Sequence, residues 1–315
     1  MILRIIIIML HIFPWLSQAQ EKCGVVVDKA SKLYIPYATL VTQPFTAGTY
    51  TSEIGKYCIS IHPDTDSILI SCVGYQNFSV SKSQFLLQDT LFLEVSINQL
   101  KEVVVKNEKK KRKVIQVGYA DHAVKKRAFG GSISFNSGVR IATYVANDGN
   151  LQGVIKNVIY VLSGARETKT VVVPLFYRIR LRIYENGSNH LPGADLLREQ
   201  VVVDVPDAQK EIVKDVSSYN IAFPGNGFWV GMECVGYMSS DSVYHEIKVN
   251  ETGKYTLKNS RKLKLEKLYA ISPMIPLTKT KITQSTHSSL KGNWHLHERS
   301  NGLSTFSFGA EIEVD

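Results

Sequence analysis

The chain of 315 residues lacks most of what an enzyme or a membrane protein would show. From Val114 to Asp315 no stretch sustains a helical apolar period over about twelve residues, which points to a sandwich of jelly-roll type there. Beyond the N-terminal stretch, no apolar run approaches the roughly 18 to 20 residues of a membrane-spanning helix. Ser137-Gly138 and Ser163-Gly164 lie in turn-rich stretches without the Gly-x-Ser-x-Gly elbow that exposes a nucleophile. There is no Gly-rich phosphate loop and no His-Glu-x-x-His helix. A catalytic triad gathered from distant residues is the one enzymatic arrangement such scanning does not reach. The sequence therefore reads as non-catalytic, with no cofactor expected.

Cysteine is scarce. The four thiols are Cys23, Cys58, Cys72 and Cys234, and two readings stand for them: disulfides in an oxidising compartment, or small buried apolar residues. The first reading draws on the N-terminus. Arg4, an apolar stretch from Ile5 through Phe13, and the small residues Ser17 and Ala19 around Gln18 make residues 1–19 read as an export signal with a mature start at Gln20. His11, Pro14 and Ser17 interrupt the run, as a membrane anchor would not tolerate. Gln20-Glu21-Lys22 ahead of Cys23 does not resemble a lipidation site.

The charge is unevenly spread. The formal net charge is +9, yet seven basic residues against two acids fall between Lys101 and Lys113, a net +5. A dense like-charge run reads as a solvated linker, which argues against nucleic acid as the partner. A second cluster, Lys258, Arg261, Lys262, Lys264 and Lys267, would let the protein touch an anionic outer-membrane surface if both clusters shared a face.

What is abundant is the short β-strand. In Lys56-Tyr57-Cys58-Ile59-Ser60-Ile61, Tyr57, Ile59 and Ile61 share one face and predict core. Ser67 to Val73 is more continuously apolar and predicts a central strand covered on both sides. Gly55 suits a positive φ at a turn, and Pro36 suits the start or border of a strand. After the basic stretch, Tyr177 to Tyr184 alternates strictly, with Ile179, Leu181 and Ile183 on one face and Arg178, Arg180 and Arg182 on the other. That predicts a half-exposed antiparallel strand. Further strands are expected at Val154 to Leu162, Val201 to Val205, Glu211 to Val216, Gly227 to Val235 and Tyr244 to Val249. Pro192 to Leu197 is expected as a loop or one helical turn.

The order Gly24-Val25-Val26-Val27-Asp28, Ile35 to Leu40, Gly48-Thr49, Gly55-Lys56-Tyr57, Ile70 to Tyr75 and Leu100 to Val105 resembles the carboxypeptidase-regulatory-like domain of exported Bacteroidetes proteins. The resemblance implies a seven-stranded, transthyretin-like (Ig-like) β-sandwich that accompanies other domains, and it implies no peptidase activity. The Leu100 to Val105 ending also resembles the lead into the plug of TonB-dependent transporters, but the remaining chain is too short for their barrel of twenty or more strands. Arg182 to Asn186, Pro192 to Leu197 and Gly227 to Glu233 resemble the jelly-roll modules of secreted adhesins and peptidases.

The expectation is thus an all-β chain: signal peptide 1–19, sandwich 20–100, basic linker 101–113 and a larger jelly-roll-like sandwich 114–315. Function is expected to lie in binding or scaffolding at the cell envelope, through protein or glycan contacts, in the periplasm, at the outer-membrane surface or after secretion. A second reading is carbohydrate binding by an aromatic face carrying Trp229 and Trp294, rings that stack on sugars if exposed and build core if buried. The Arg178, Arg180, Arg182 stripe would add affinity for anionic sugars, or it would simply be a solvated strand face. A third reading, a metal-dependent hydrolase, rests on His295 and His297, which share a face in a strand; no third ligand has a persuasive spacing. The sequence leaves oligomeric state and disulfide pairing open.

Overall fold

A computed structural model describes residues 19–96, 112–118, 132–134, 138–162, 175–206, 209–239, 244–249, 255–258, 274–279, 286–288, 293–296 and 304–314. Residues 1–18 of the expected signal 1–19, residues 101–111 of the basic linker 101–113, Arg261, Lys262, Lys264, Lys267 and His297 lie outside these residues. The chain divides into two compact units, Met1–Ser96 and Ile97–Asp315. Both are built from β-strands.

The first unit runs β1 (Gln20–Asp28), β2 (Thr39–Gln43), β3 (Gly48–Tyr50), β4 (Lys56–Ile61), β5 (Ser67–Ser71), β6 (Phe78–Ser81), helix α1 (Lys82–Leu87) and β7 (Thr90–Leu93). Its strands form two sheets, β4-β1-β7 and β3-β2-β5-β6, in keeping with the β-sandwich implied by the family resemblance. β1 runs antiparallel to β4 and parallel to β7. The alternation in β4 holds as expected: Tyr57, Ile59 and Ile61 are buried while Lys56, Cys58 and Ser60 face solvent. They meet Val26, Leu91 and Leu93 of their own sheet and Leu40, Ile68, Ile70 and Val80 of the other in one apolar core. Each large side chain so buried contributes about 1.5 to 3 kcal/mol.

The expectation for β5 needs correction. It is central in its sheet, but only Ile68 and Ile70 are fully buried while Ser67, Leu69 and Ser71 are half-buried, so it is covered on one side. The short helix α1 was not expected either. Ser81 caps it by accepting from the Gln84 amide, and the helix serves to seat Phe85, fully buried, against Tyr57 with ring centroids 5.8 Å apart. Six residues are too few for a periodic signal. Gly55 adopts φ 68° as predicted; a Cβ there would lie 2.9 Å from the Tyr34 Cβ and from the Val26 carbonyl oxygen.

The second unit continues with β8 (Lys113–Gly118), β9 (Ser132–Ser134), β10 (Arg140–Val145), β11 (Gly153–Val161), β12 (Leu175–Asn186), β13 (Pro192–Asp195), β14 (Val201–Pro206), β15 (Glu211–Asp215), β16 (Phe228–Ser239), β17 (Tyr244–Val249), β18 (Tyr255–Lys258), β19 (Met274–Lys279), β20 (Thr286–Ser288), β21 (His295–Leu296), β22 (Ser304–Phe306) and β23 (Phe308–Val314). The five further strands expected from the sequence fall within a residue of β11, β14, β15, β16 and β17, except that β16 extends to Ser239. Two expectations shift. Pro192 to Asp195 is a strand, paired with β12, and Lys113, placed in the linker, opens β8.

Among the described residues the largest sheet has nine strands, with β13-β12-β16-β10-β20-β21 as its path. β12 is long enough to use both edges, pairing β16 along one and β14 then β13 along the other. One face, carrying Ile141, Val230, Met232, Ile179, Leu181 and Ile183, is buried throughout. The sheet β15-β11-β23-β8 supplies Val158, Tyr160, Phe308, Ala310 and Ile312, equally buried. Tyr160 donates its hydroxyl to the Gly231 carbonyl at 2.9 Å, tying these two sheets together, and Thr143 donates to the carbonyl of Phe306 in β22 at 3.2 Å. A three-stranded sheet, β22-β19-β9, completes the unit.

Candidate functional site

The opposite face of the nine-stranded sheet carries the chemistry. Residues paired in register across antiparallel strands share a face, which places three cross-strand rows on it. Tyr144, Trp229, Tyr184 and Asp195 lie in one row across β10, β16, β12 and β13. Ala142, Gly231 and Arg182 form the next. Ser288, Arg140, Glu233, Arg180 and Val202 form the third, across β20, β10, β16, β12 and β14.

The aromatic row is a packed cluster. Trp229 is fully buried; Tyr144 lies 5.4 Å from it, ring to ring, and its indole donates to the Asn186 side-chain oxygen at 3.2 Å. Both Asn186 and Tyr144 donate in turn to the Asn226 carbonyl. Tyr184 bends over Gly231, where a Cβ would come within 2.8 Å of the ring. Trp294, half-buried, meets Tyr184 edge-on at 5.5 Å and carries the Arg140 guanidinium 5.2 Å from its ring centroid. Trp229 therefore cannot stack on a sugar as the exposed-platform reading required. Phe228, Trp229 and Val230 are sealed on both faces of the strand, because the second sheet covers one and the aromatic row the other. Of the two tryptophans, Trp294 alone keeps exposed surface.

The arginine stripe is also corrected. Arg178 and Arg180 are buried and Arg182 nearly so, and none forms a solvated face. Arg178 grips Asp204 with two bonds of 2.6 Å. Arg180 donates to Glu233 at 3.2 Å, and Arg182 bridges Glu233 at 2.8 Å and Asp195 at 2.8 Å. Strand alternation put the arginines on one face correctly, but it is blind to what neighbouring strands lay beside them. Glu233, Asp195 and Asp204 were missed. A signal for the first did exist: a single carboxylate inside the apolar run Phe228 to Val235 demands a buried counter-charge.

The electrostatics follow from this crowding. Burial alone would raise the Glu233 carboxyl, but the charges of Arg180, Arg182 and Arg140 outweigh it and hold the group far below the carboxylate range. Burial likewise opposes the charge on Arg182, and Glu233 restores it and more. Burial raises Asp195, with Arg182 offsetting part of the effect. Burial pushes the Tyr184 phenol up to about 12 despite the nearby guanidiniums, and its oxygen has no hydrogen-bond partner among the described residues. A carboxylate kept ionised and shared by two guanidiniums has no proton to give.

His295 lies in β21, exposed, with its backbone in register with His287. Among the described residues no group of three or more His, Cys, Asp or Glu side chains is placed to hold a metal. The cysteines include one disulfide, Cys23–Cys58, while Cys72 and Cys234 are buried and lie outside it. No helix among the described residues is long and apolar enough to cross a membrane.

Neither the curated proteins nor the solved structures provide a match to this chain. Residues 23–105 do match the CarboxypepD_reg-like domain, over the stretch that builds the two facing sheets of the first unit. That unit is a two-sheet β-structure whose sequence is similar to the CarboxypepD_reg-like domain.

Proposed function

We propose that the protein is an exported, non-catalytic binding or scaffolding component of the cell envelope, working through protein or glycan contacts. The observation that carries this reading is a CarboxypepD_reg-like sandwich clasped by a disulfide and continued, in the same chain, by a second unit of β-sheet. A disulfide between exposed cysteines suits an oxidising compartment, in keeping with the export signal expected at residues 1–19. Purified protein is expected to be retained on envelope fractions and to leave peptide and glycoside panels untouched. Robust hydrolysis of either panel overturns the proposal.

Carbohydrate binding is the second reading, and Trp294 favours it. Its ring is half-exposed and held at a fixed angle by Tyr184 and Arg140, which is what a stacking platform needs. Trp294→Ala is expected to abolish retention on a glycan array while Trp229→Phe, in the core, leaves it intact. Unchanged retention in the folded Trp294→Ala variant rejects this reading.

A further inference from the structure

The Cys23–Cys58 bond does not sit where a structural staple is sheltered. Cys23 and Cys58 are directly opposed in the β1–β4 register, and both point away from the core, exposed. On the inward side of the same strands, Val26, Tyr57, Ile59 and Ile61 are anchored in the apolar core, and the β1–β4 ladder runs through six register pairs from Gln20↔Ile61 to Val25↔Lys56. The pairing is therefore held by forces that do not involve the sulfurs. Exposed disulfides are the ones that external thiolates reach.

We propose that Cys23–Cys58 is a thiol–disulfide exchange site for an external thiol, and that it opens with the fold intact. The two sulfurs are not equivalent. Lys56 lies two residues from Cys58 on the same solvent face of β4, while Glu21 lies two residues from Cys23 on the same face of β1. The positive neighbour favours the thiolate of Cys58, and the sulfur better able to carry negative charge is the one that leaves. An incoming thiolate attacks the Cys23 sulfur. The S–S bond breaks, its electron pair goes to Cys58, and the new bond joins Cys23 to the attacking sulfur. With a dithiol, the second thiolate of the reagent then attacks its own sulfur in the mixed disulfide and releases Cys23 as thiolate. Two electrons have moved to the protein, the reagent leaves as its disulfide, and both protein thiolates take protons from water. This chemistry rests on the geometry of the first unit and stands apart from the envelope reading.

The protein carries its own control in Cys72 and Cys234, both buried and outside the disulfide. Full-length oxidised protein is exposed to glutathione under native conditions, quenched with iodoacetamide and peptide-mapped. The expected product carries glutathione on Cys23 and the alkyl group on Cys58, with Cys72 and Cys234 unlabelled. Dithiothreitol should reduce the bond at a rate proportional to its concentration. Lys56→Gln should slow the glutathione step about threefold at low ionic strength. Labelling of Cys72 and Cys234 in step with the other two, or no reaction until denaturant is added, overturns the proposal. Glutathione found on Cys58 overturns the assigned direction of attack.

Discussion

Arg180 and Glu233 are register partners on adjacent strands, and the guanidinium donates to the carboxylate at 3.2 Å with side chains 0% and 2% exposed. Glu233 also serves Arg182, so one carboxylate balances two cations in a dry layer. Removing it takes away the counter-charge both share. Glu233→Ala should cost about 3 to 5 kcal/mol of unfolding free energy, read from the urea midpoint at unchanged slope. A loss under about 1 kcal/mol would show that the pairing adds little. A paired replacement, Arg180→Met with Glu233→Leu, should recover much of the loss.

Acid should unfold the second unit through the same carboxylate. The folded-state affinity of Glu233 for protons is depressed, whereas an unfolded glutamate titrates near pH ~4.3. Its contribution is therefore fully present above that value and falls away as pH drops toward the folded value. Asp195, raised by burial, has the opposite sign: its contribution is present at low pH and is lost as pH rises through its folded value. Glu233 is the group held far below its ordinary range, so stability should fall steadily below pH ~4. Glu233→Gln should flatten that acid limb. An unchanged limb in the folded variant would remove Glu233 as its source.

Buried phenols should resist base. Tyr57 and Tyr75 are pushed up to about 12, in each case first by burial and then by the neighbouring Asp89 and Asp28; Tyr184 is pushed to about 12 by burial. An unfolded tyrosine ionises near pH ~10. The stability these groups contribute is complete below that pH and is lost as pH climbs toward about 12. Ultraviolet titration of the native protein should show a delayed fraction of tyrosine absorbance, reduced by one residue in Tyr57→Phe. A single uniform transition near pH ~10 in the folded protein would contradict this.

Thr51 ties the first unit together through one hydroxyl. It is 1% exposed, donates to the Ile35 carbonyl at 2.7 Å and accepts from the Ala38 amide at 2.8 Å. Thr51→Val keeps the shape and abandons both buried backbone groups, so it should cost roughly 2 to 4 kcal/mol. Thr51→Ser, which keeps the hydroxyl, should cost much less. Equal losses in the two variants would assign the effect to the methyl group.

Local pattern and long-range pairing divide what was legible. Tyr57, Ile59 and Ile61 announced their face because alternation within six residues is a local property, and the turn at Gly55 announced itself for the same reason. The β12 alternation was equally clear, yet its polar face was misread as solvated. Its fate depends on Glu233, more than fifty residues away, and on a register that local spacing does not encode. Trp229 failed in the same way, since a strand pattern says which side a ring takes and not what lies above it. The disulfide was open among four thiols until the β1–β4 register set Cys23 beside Cys58. Pro192 to Asp195 read as a turn because its residues favour one; pairing with β12 overrode that preference.

The parallel pairing of β1 with β7 has a mechanical consequence. These are the first and last strands of their unit, side by side and pointing the same way, joined at Val25↔Thr90, Val26↔Leu91, Val27↔Phe92 and Asp28↔Leu93. The chain therefore enters at one pole of the sandwich and leaves at the other. Tension drawn through both strands pulls them in opposite directions along their shared axis, so the four register pairs are loaded together in shear instead of peeling apart one at a time. A sandwich wired in this way holds as a link in a line under load, and stretching single molecules by residues 20 and 93 should show one abrupt rupture rather than a gradual yield.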